Sequence, residues 1–216
     1  MSIEAVVFDM DGVIVDSERY WVAEVAEILD VAVPDADVDP ESVVGINVYD
    51  QYDLLADEYD VAVTREEYFD LFDRHADTVY TESATLTDGF HDLVAEIRAC
   101  DLPIGLVTSS FPQWVELVFE RFDLGDAFDV VVTAGDEDVP GKPEPDLYEL
   151  AAGRLGVDPN GMLVVEDSEH GVDAASAAGA HVVGYQHGAS ADMDHGAADA
   201  VATDPDSFRE RVLETL

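Results

Sequence analysis

The sequence predicts a doubly wound, Rossmann-like α/β fold, a parallel sheet flanked by helices, with an α-helical cap domain inserted after the first strand. Two observations predict it. Short, almost wholly apolar segments alternate with amphipathic ones, and one interval between such segments is far longer than a single crossover. Near-continuous apolar runs are typical of strands buried on both faces of a parallel sheet. Their alternation with helices favours a doubly wound architecture.

The apolar runs and the segments between them define the elements of the sheet domain. The predicted strands are Ile3–Phe8, Pro103–Thr108, Asp129–Thr133, Met162–Glu166 and His181–Tyr185, with a weaker one at Ala200–Thr203. The predicted helices are Gly89–Ala99, Gln113–Phe122, Asp146–Leu155 and Gly171–Ala178. The stretch Gly188–Asp199, rich in Gly, Ala and Asp, is predicted to be a surface loop.

The long interval after the first strand predicts the cap. It contains no convincing β run, but it has aromatic-rich helical patterns at Tyr20–Leu29 and Val48–Tyr59. Thr64 and Glu67 have the spacing of a capping box that opens a further helix. We therefore expect a helical cap over residues 16–86, and an α/β core formed by residues 1–15 and 87–216.

Composition restricts the partners. The 216 residues include 9 basic and 50 acidic side chains, for a formal net charge of −41, and Lys142 is the only lysine. Nucleic acids and anionic membranes are bound by neutralising phosphate with Lys and Arg, so neither is expected as a partner. Acidity spread over the whole chain resembles that of proteins from salt-in halophiles, where molar salt shortens the Debye length to roughly 3 Å.

Localisation is predicted from what the sequence lacks. A single cysteine, Cys100, excludes an internal disulfide and fits a reducing compartment. The first residues lack the basic region of a signal peptide, and no apolar run approaches the length of a membrane span. We expect a cytoplasmic protein; the oligomeric state is open.

The strongest motif is Asp9-Met10-Asp11-Gly12, directly after the first predicted strand. Carboxylates at that position project into the crevice where open α/β sheets bind ligands. One carboxylate can attack an electrophile such as phosphorus while its neighbour handles a proton. A calcium-binding loop is disfavoured because a strand precedes the motif and no glutamate stands at the twelfth position.

Further candidate site residues lie at or after the ends of later predicted strands. Thr108, Ser109 and Ser110 are hydroxyls suited to phosphoryl oxygens, although Ser110 with Gln113 also has the spacing of an ordinary helix cap. Lys142 lies in a proline-stiffened loop between a strand and a helix, at the edge where a ligand is expected. It is a candidate site residue, unless it is simply a solvated surface charge.

Glu166 and Asp167 would add carboxylates near Asp9 and Asp11, unless they are simply acids that favour a helix N-terminus. Carboxylates crowded together in this way repel one another unless a cation offsets their charge. Mg²⁺ is the natural one, because it takes carboxylates together with water and substrate phosphate oxygens.

In this order and at these spacings, the four motifs resemble those of the haloacid dehalogenase-like hydrolase superfamily. Within that superfamily, they resemble most specifically the members with a helical cap, the phosphoglycolate phosphatase and β-phosphoglucomutase-like proteins. The resemblance implies that Asp9 is a nucleophile and Asp11 an acid/base, and that Thr108 and Lys142 bind the phosphoryl group. It implies that Mg²⁺ is held by Asp9, the Asp11 carbonyl and Asp167, with Glu166 direct or through water. The expected activity is Mg²⁺-dependent hydrolysis of a small phosphomonoester through an aspartyl-phosphate, with cap opening and closing governing access.

Two alternatives to a phosphatase remain open. A sugar-phosphate mutase must hold a bisphosphate at both ends, yet the first basic residue after Arg19 is Arg65, beyond the expected specificity loop around Gly45-Ile46-Asn47. Asn47 is instead a candidate for contacting a neutral leaving group. A phosphorylatable receiver-like regulator would also carry acids, a hydroxyl and a lysine, but receivers place the acceptor aspartate on a later strand. The identity of the phosphomonoester is open.

Overall fold

The computed structural model describes residues 2–43, 46, 48–133, 139–191 and 193–216. Within these ranges six parallel strands form one sheet in the order β3-β2-β1-β4-β5-β6. The strands are β1 Ala5–Phe8, β2 Ile104–Thr108, β3 Val130–Thr133, β4 Met162–Glu166, β5 His181–Tyr185 and β6 Ala200–Ala202. The predicted α/β fold is confirmed, and each strand lies inside the segment predicted for it.

Eight α-helices accompany the sheet in the described ranges. They are α1 Glu18–Ala32, α2 Val48–Glu58, α3 Arg65–Thr78, α4 Phe90–Ala99, α5 Pro112–Phe122, α6 Asp146–Leu155, α7 Glu169–Ala178 and α8 Pro205–Thr215. Helix α8 was not among the predicted helices. Its start nevertheless carries familiar signals, since the Asp204 side chain accepts from the Ser207 amide and Pro205 occupies the first turn. No helix in the described part of the chain is both long and apolar enough to cross a membrane.

Helices cover both faces of the sheet. Ala5 and Val7 of β1 belong to the same buried cluster as Leu147 of α6 and Val172 of α7. Phe8 packs edge-on against aromatic rings of α4 and α8, its ring centroid 5.3 Å from that of Phe90 and 6.2 Å from that of Phe208. Successive strand residues point to opposite faces of a sheet, so these contacts place helices on both faces, as in a doubly wound fold. Because the strands are parallel, their carboxyl ends lie at one edge of the sheet.

The chain divides into two compact units, Met1–Asp16 with Thr85–Leu216, and Ser17–Ala84. The second unit is helical and has its own aromatic core, in which Trp21 of α1 stacks on Phe72 of α3 at 5.6 Å. The predicted capping box at the start of α3 is confirmed. The Glu67 amide donates to Thr64 Oγ1 at 3.2 Å, and the Thr64 amide donates to the Glu67 carboxylate at 2.8 Å.

Candidate active site

The candidate site lies where β1, β2 and β4 end. The register pairs Phe8 with Val165 of β4, and the Asp9 amide continues the ladder by donating to the Val165 carbonyl at 3.0 Å. Glu166 is the last residue of β4 and Thr108 the last of β2. Since β2 and β4 flank β1 on opposite sides, the end of β1 is the switch point at which doubly wound sheets bind ligands.

A tight turn follows Asp9 and sets the position of Asp11. Gly12 adopts φ +76°, a left-handed conformation that favours glycine, and its amide donates to the Val15 carbonyl at 2.8 Å. The returning chain closes this turn, because the Thr87 amide donates to the Ile14 carbonyl at 2.9 Å. Asp11 therefore projects from a loop that is bonded at both of its ends.

Ser110 links the Asp11 carboxylate to Thr108. Its hydroxyl donates to Asp11 Oδ2 at 2.6 Å and its amide donates to Thr108 Oγ1 at 3.1 Å. The helix cap considered for Ser110 is wrong. The N-cap of α5 is Phe111, without a side-chain cap bond, because Pro112 fixes the first helical position one residue later than expected. The Ser110 hydroxyl instead holds the carboxylate of Asp11.

Lys142 is buried at the centre of the site, with only 6% of its side chain exposed. Its Nζ lies 2.6 Å from Asp9 Oδ1, 2.5 Å from Glu166 Oε1 and 3.2 Å from the Val107 carbonyl. An ammonium group has three donors, and these contacts engage all three. The lysine thus joins the ends of β1, β2 and β4.

Glu166 is fully buried and surrounded by donors. Besides Lys142, its Oε1 accepts from the Tyr148 hydroxyl at 2.6 Å. Its Oε2 accepts from the Asp167 amide at 3.1 Å, and from the amide and hydroxyl of Ser168 at 3.3 and 3.1 Å. A Cβ on Gly171 would lie 2.0 Å from this carboxylate, so the first turn of α7 must be bare where it meets Glu166.

Sequence reasoning missed Tyr148 and Ser168 as site residues. Tyr148 lies on the buried face of α6, where its spacing fits an ordinary core residue, and its contact with Glu166 is made by the hydroxyl group. Ser168 caps α7 by accepting from the Gly171 amide at 3.0 Å, a role typical of serine before a helix. In both cases an ordinary structural pattern conceals a second contact to the site.

The charges of the site are unbalanced. Burial raises the pKa of Asp9 well above its usual range; Lys142 opposes this shift, whereas Glu166 and Asp11 add to it. Burial alone would lower the pKa of Lys142, but Asp9 and Glu166 more than offset this and raise it, so the lysine stays protonated. Burial also raises the pKa of Tyr148, which keeps its hydroxyl a donor to Glu166.

The carboxylates fit a divalent cation. Asp9, Glu166 and Asp167 each offer an oxygen within 4.8 Å of the others, and Lys142 is bonded to the first two. A Cβ on Gly12 would lie 1.8 Å from Asp167 Oδ2, so the carboxylate rests directly on the bare Cα. Hard carboxylate oxygens are the ligands that Mg²⁺ prefers.

Most of the predicted site residues come together, and one cannot be placed. Asp9, Lys142 and Glu166 are in direct contact, and Asp11, Ser110 and Thr108 form a second connected set beside them. Ser109 is half-buried immediately after β2. Asn47, with Gly45 of the expected specificity loop, lies outside the described residues.

Comparison with known proteins finds relatives that are similar in sequence and structures that are similar in fold. The profile of haloacid dehalogenase-like hydrolases matches residues 3–179. A probable pseudouridine-5'-phosphatase of Drosophila melanogaster is 35% identical, covering 82% of this chain and 79% of its own length. Hexitol phosphatase B of Escherichia coli K12 is 31% identical over 81% and 79% of the two chains. The fold of β-phosphoglucomutase from Clostridium difficile superposes with a TM-score of 0.76 at 22% identity, covering 98% of this chain and 99% of that one.

Proposed function

This chain belongs to the haloacid dehalogenase-like hydrolase family, and from that premise we propose that it hydrolyses a small phosphomonoester through an aspartyl-phosphate on Asp9. The observation that carries the proposal is the contact of 2.6 Å between Lys142 Nζ and Asp9 Oδ1, inside a buried group of carboxylates at the sheet's switch point. A nucleophilic carboxylate beside a buried cation is suited to receive a dianionic group.

In the first step a carboxylate oxygen of Asp9 attacks phosphorus. The new O–P bond forms as the bond from phosphorus to the leaving oxygen breaks, and Asp11 gives its proton to that oxygen. In the second step Asp11 takes a proton from water, whose oxygen attacks phosphorus and displaces the Asp9 carboxylate. Inorganic phosphate leaves, and both aspartates return to their starting states.

Asp11 suits the proton-transfer role because it is fixed without being buried. The Ser110 hydroxyl holds one of its oxygens, and the turn closed by Gly12 sets its main chain. General acid/base catalysis requires the proton donor within hydrogen-bond reach of the leaving oxygen. Alkyl-enzyme esters of dehalogenases need no such proton, so Asp11 supports a phosphate ester as substrate.

Lys142 and Thr108 are proposed to bind the phosphoryl oxygens. All three donors of the lysine already contact protein oxygens, so one of them must turn from Asp9 to the phosphoryl group once that group is attached to Asp9. Thr108 Oγ1 accepts from the Ser110 amide, which leaves its own O–H to donate. Preorganised donors of this kind stabilise the charge of phosphoryl transfer.

Mg²⁺ is the proposed cofactor, held by Asp9, Asp167 and the main-chain carbonyl of Asp11, with Glu166 direct or through water. The donors that surround Glu166 favour contact through water and give this residue a second role as the anchor of Lys142. When bound, the ion would offset the excess carboxylate charge and stabilise negative charge on the phosphoryl oxygens.

Phosphatase activity is favoured over mutase activity by the arginines of the helical unit. Arg65 pairs with Asp53 and lies over the Tyr52 ring, Arg74 Nε donates to a main-chain carbonyl one turn earlier, and Arg19 donates to Tyr20. Each is bonded within its own unit, whereas a mutase needs a cation for a second phosphate. The relatives named as hexitol and pseudouridine phosphatases support a small, hydroxylated phosphomonoester as substrate.

We also propose that the enzyme works in a salt-rich cytoplasm. Among the acidic residues that the structure describes, Asp9, Glu166 and Asp167 are the buried ones, and the others are at least partly exposed. The excess negative charge is thus a surface property that molar salt screens. Within the site, Lys142 and the cation would counter it locally.

The test is phosphate release from a panel of phosphomonoesters with and without Mg²⁺ in molar KCl, using the wild type, Asp9→Asn and the exposed control Asp126→Asn. We expect metal-dependent turnover that Asp9→Asn abolishes and Asp126→Asn retains. Near-wild-type turnover by Asp9→Asn would refute the proposed nucleophile. Poor phosphate release with stimulation by a bisphosphate would establish the mutase instead.

A further inference from the structure

A buried histidine contacts the main chain of the proposed metal site. His195 lies between β5 and β6, in the stretch predicted to be a surface loop, yet it is only 5% exposed. Its Nε2 lies 2.5 Å from the main-chain oxygen of Asp167. A carbonyl oxygen can only accept, so Nε2 must carry the hydrogen of this bond. The prediction of a surface loop is therefore wrong at His195.

The Asp167 carbonyl lies between the hydrogen bonds of the sheet and those of α7. Strand β4 ends at Glu166, and the helical ladder begins with the carbonyl of Ser168, which accepts from the Val172 amide at 2.9 Å. Buried carbonyls need a donor, and His195 supplies one to this junction. The histidine thus bonds the main chain of a single residue at the end of β4.

A second observation concerns the other ring nitrogen of His195. Nδ1 of His195 is buried and has no hydrogen-bond partner in the described part of the chain. A buried, unsatisfied nitrogen reduces stability, and an apolar side chain of similar size would avoid that loss. The stability lost at Nδ1 is offset if the hydrogen bond from Nε2 to the Asp167 carbonyl has a role that an apolar side chain could not fill.

Gly184 makes room for the ring. A Cβ there would lie 3.0 Å from both Cβ and Cγ of His195, closer than ordinary contacts allow. The loop is also tied on the far side of the histidine, where the Ala198 amide donates to the His195 carbonyl at 2.9 Å. The position of the ring is therefore fixed by the neighbouring strand and by its own loop.

We propose that His195 is a positioning residue for the metal site: it holds the Asp167 main chain so that the carboxylate seats against Gly12 and faces the cation. Asp167 is then fixed at two points, its carbonyl by His195 and its carboxylate by the bare Cα of Gly12. This inference rests on the proposed role of Asp167 in Mg²⁺ binding. Outer contacts that orient metal ligands typically change metal affinity by about 10- to 100-fold.

The test compares His195→Gln, whose amide can reach the carbonyl as Nε2 does, with His195→Asn, whose amide is too short, and His195→Leu. Mn²⁺ binding to the substrate-free protein is measured by electron paramagnetic resonance, alongside the Mg²⁺ dependence of turnover. We expect about 10-fold weaker metal binding in His195→Asn and His195→Leu, and near-wild-type binding in His195→Gln. Melting temperatures should not follow this order, because Leu removes the unsatisfied Nδ1.

Two controls separate this inference from the proposed function. His187→Leu removes an exposed histidine that also contacts a carbonyl, that of Thr203 at 3.2 Å, and should leave Mn²⁺ affinity unchanged. Asp167→Asn should abolish the site. Normal Mn²⁺ binding by Asp167→Asn would overturn the metal site itself. Loss in Asp167→Asn with wild-type affinity in both His195→Asn and His195→Leu would overturn the positioning role alone; if His195→Leu does not fold, His195→Asn against His195→Gln decides.

Discussion

The ammonium of Lys142 lies 2.6 Å from the carboxylate of Asp9, and both side chains are more than 90% buried. The only lysine of the chain is thus placed against the proposed nucleophile, and Glu166 holds it from the other side. Removing one partner of a buried ion pair leaves an uncompensated charge. The contact is therefore expected to matter for the fold as well as for catalysis. Of the substitutions below, Gly12→Ala and Gly171→Ala disturb carboxylates next to this pair and leave the pair itself intact.

Gly12→Ala should disable the metal site. The new Cβ would lie 1.8 Å from Asp167 Oδ2, so the carboxylate must move. We expect turnover to fall by about 100-fold, because small displacements of catalytic groups have effects of that order. The measurement is turnover as a function of Mg²⁺ concentration.

The matched control is Gly179→Ala. Gly179 has φ +93° and nothing within 4 Å of an added Cβ, so it shares the left-handed strain of Gly12 without its collision. Both variants should lose about 1–2 kcal/mol of folding free energy to that strain. Equal turnover by the two variants would contradict the assigned role of the Gly12–Asp167 contact.

Gly171→Ala should loosen the anchor of Lys142. Its Cβ would lie 2.0 Å from the Glu166 carboxylate, which cannot move without losing donors from Lys142, Tyr148 or Ser168. We expect turnover to fall by at least about 10-fold and the unfolding midpoint in urea to decrease.

Gly153→Ala is the matched control for that substitution. Gly153 is an exposed glycine inside α6, with no atom within 4 Å of an added Cβ. Alanine is the better helix former, so this variant should be about 0.5–1 kcal/mol more stable and fully active. A stabilised, active Gly171→Ala would show that Glu166 tolerates displacement and does not anchor the lysine.

Asp129 should contribute to stability in a pH-dependent manner. Its carboxylate accepts from Arg98 and from the Ile104 amide, and these bonds lower its pKa below the usual value. A lowered pKa in the folded state means that the stabilisation is present above the ordinary pKa and is lost as the pH falls through the folded value. Asp129→Asn should cost about 1 kcal/mol at pH 7, since the side chain is 43% exposed, and progressively less below about pH 4.

Urea unfolding of Asp129→Asn and wild type between pH 7 and pH 3 checks this expectation. The exposed neighbour Asp126→Asn provides the baseline for losing one surface charge. A difference between Asp129→Asn and wild type that is constant across this range would disprove the titration argument.

Stability and activity should require high salt. The net charge of −41 repels itself in dilute buffer, and molar KCl shortens the Debye length to roughly 3 Å. We expect circular dichroism to show a cooperative thermal transition in molar KCl, and partial or complete unfolding without salt. Equal melting temperatures in the two buffers would exclude the halophilic interpretation.

The sequence was sufficient to predict the sheet and to identify the acidic, hydroxyl and lysine motifs at its edge. Buried parallel strands are read from uninterrupted apolar runs, and Asp9, Thr108 and Glu166 are adjacent because they end or follow neighbouring strands. Lys142 could be singled out because it is the only lysine in a strongly acidic chain.

The contacts around these residues could not be read in the same way. Tyr148 and His195 act through one polar atom each, while their spacing fits a helix core and a loop. Helix α5 starts one residue later than a Ser110 cap would place it, because Pro112 at the first helical position overrides the spacing between a serine and a glutamine. Helix α8 was missed although its start carries an Asp-Pro signal.

The central claim is tested most directly by trapping the phosphoryl group on Asp9. Wild-type enzyme turning over a phosphomonoester with Mg²⁺ in molar KCl is quenched in acid and reduced with borohydride, which converts an acyl phosphate to an alcohol that peptide mass mapping can locate. We predict a reduced side chain at position 9 that forms and decays at rates compatible with phosphate release. Turnover with no modification at Asp9, or with the modification on another carboxylate, would contradict the proposed mechanism, and a persistent stoichiometric phosphoryl group without turnover would identify a regulator.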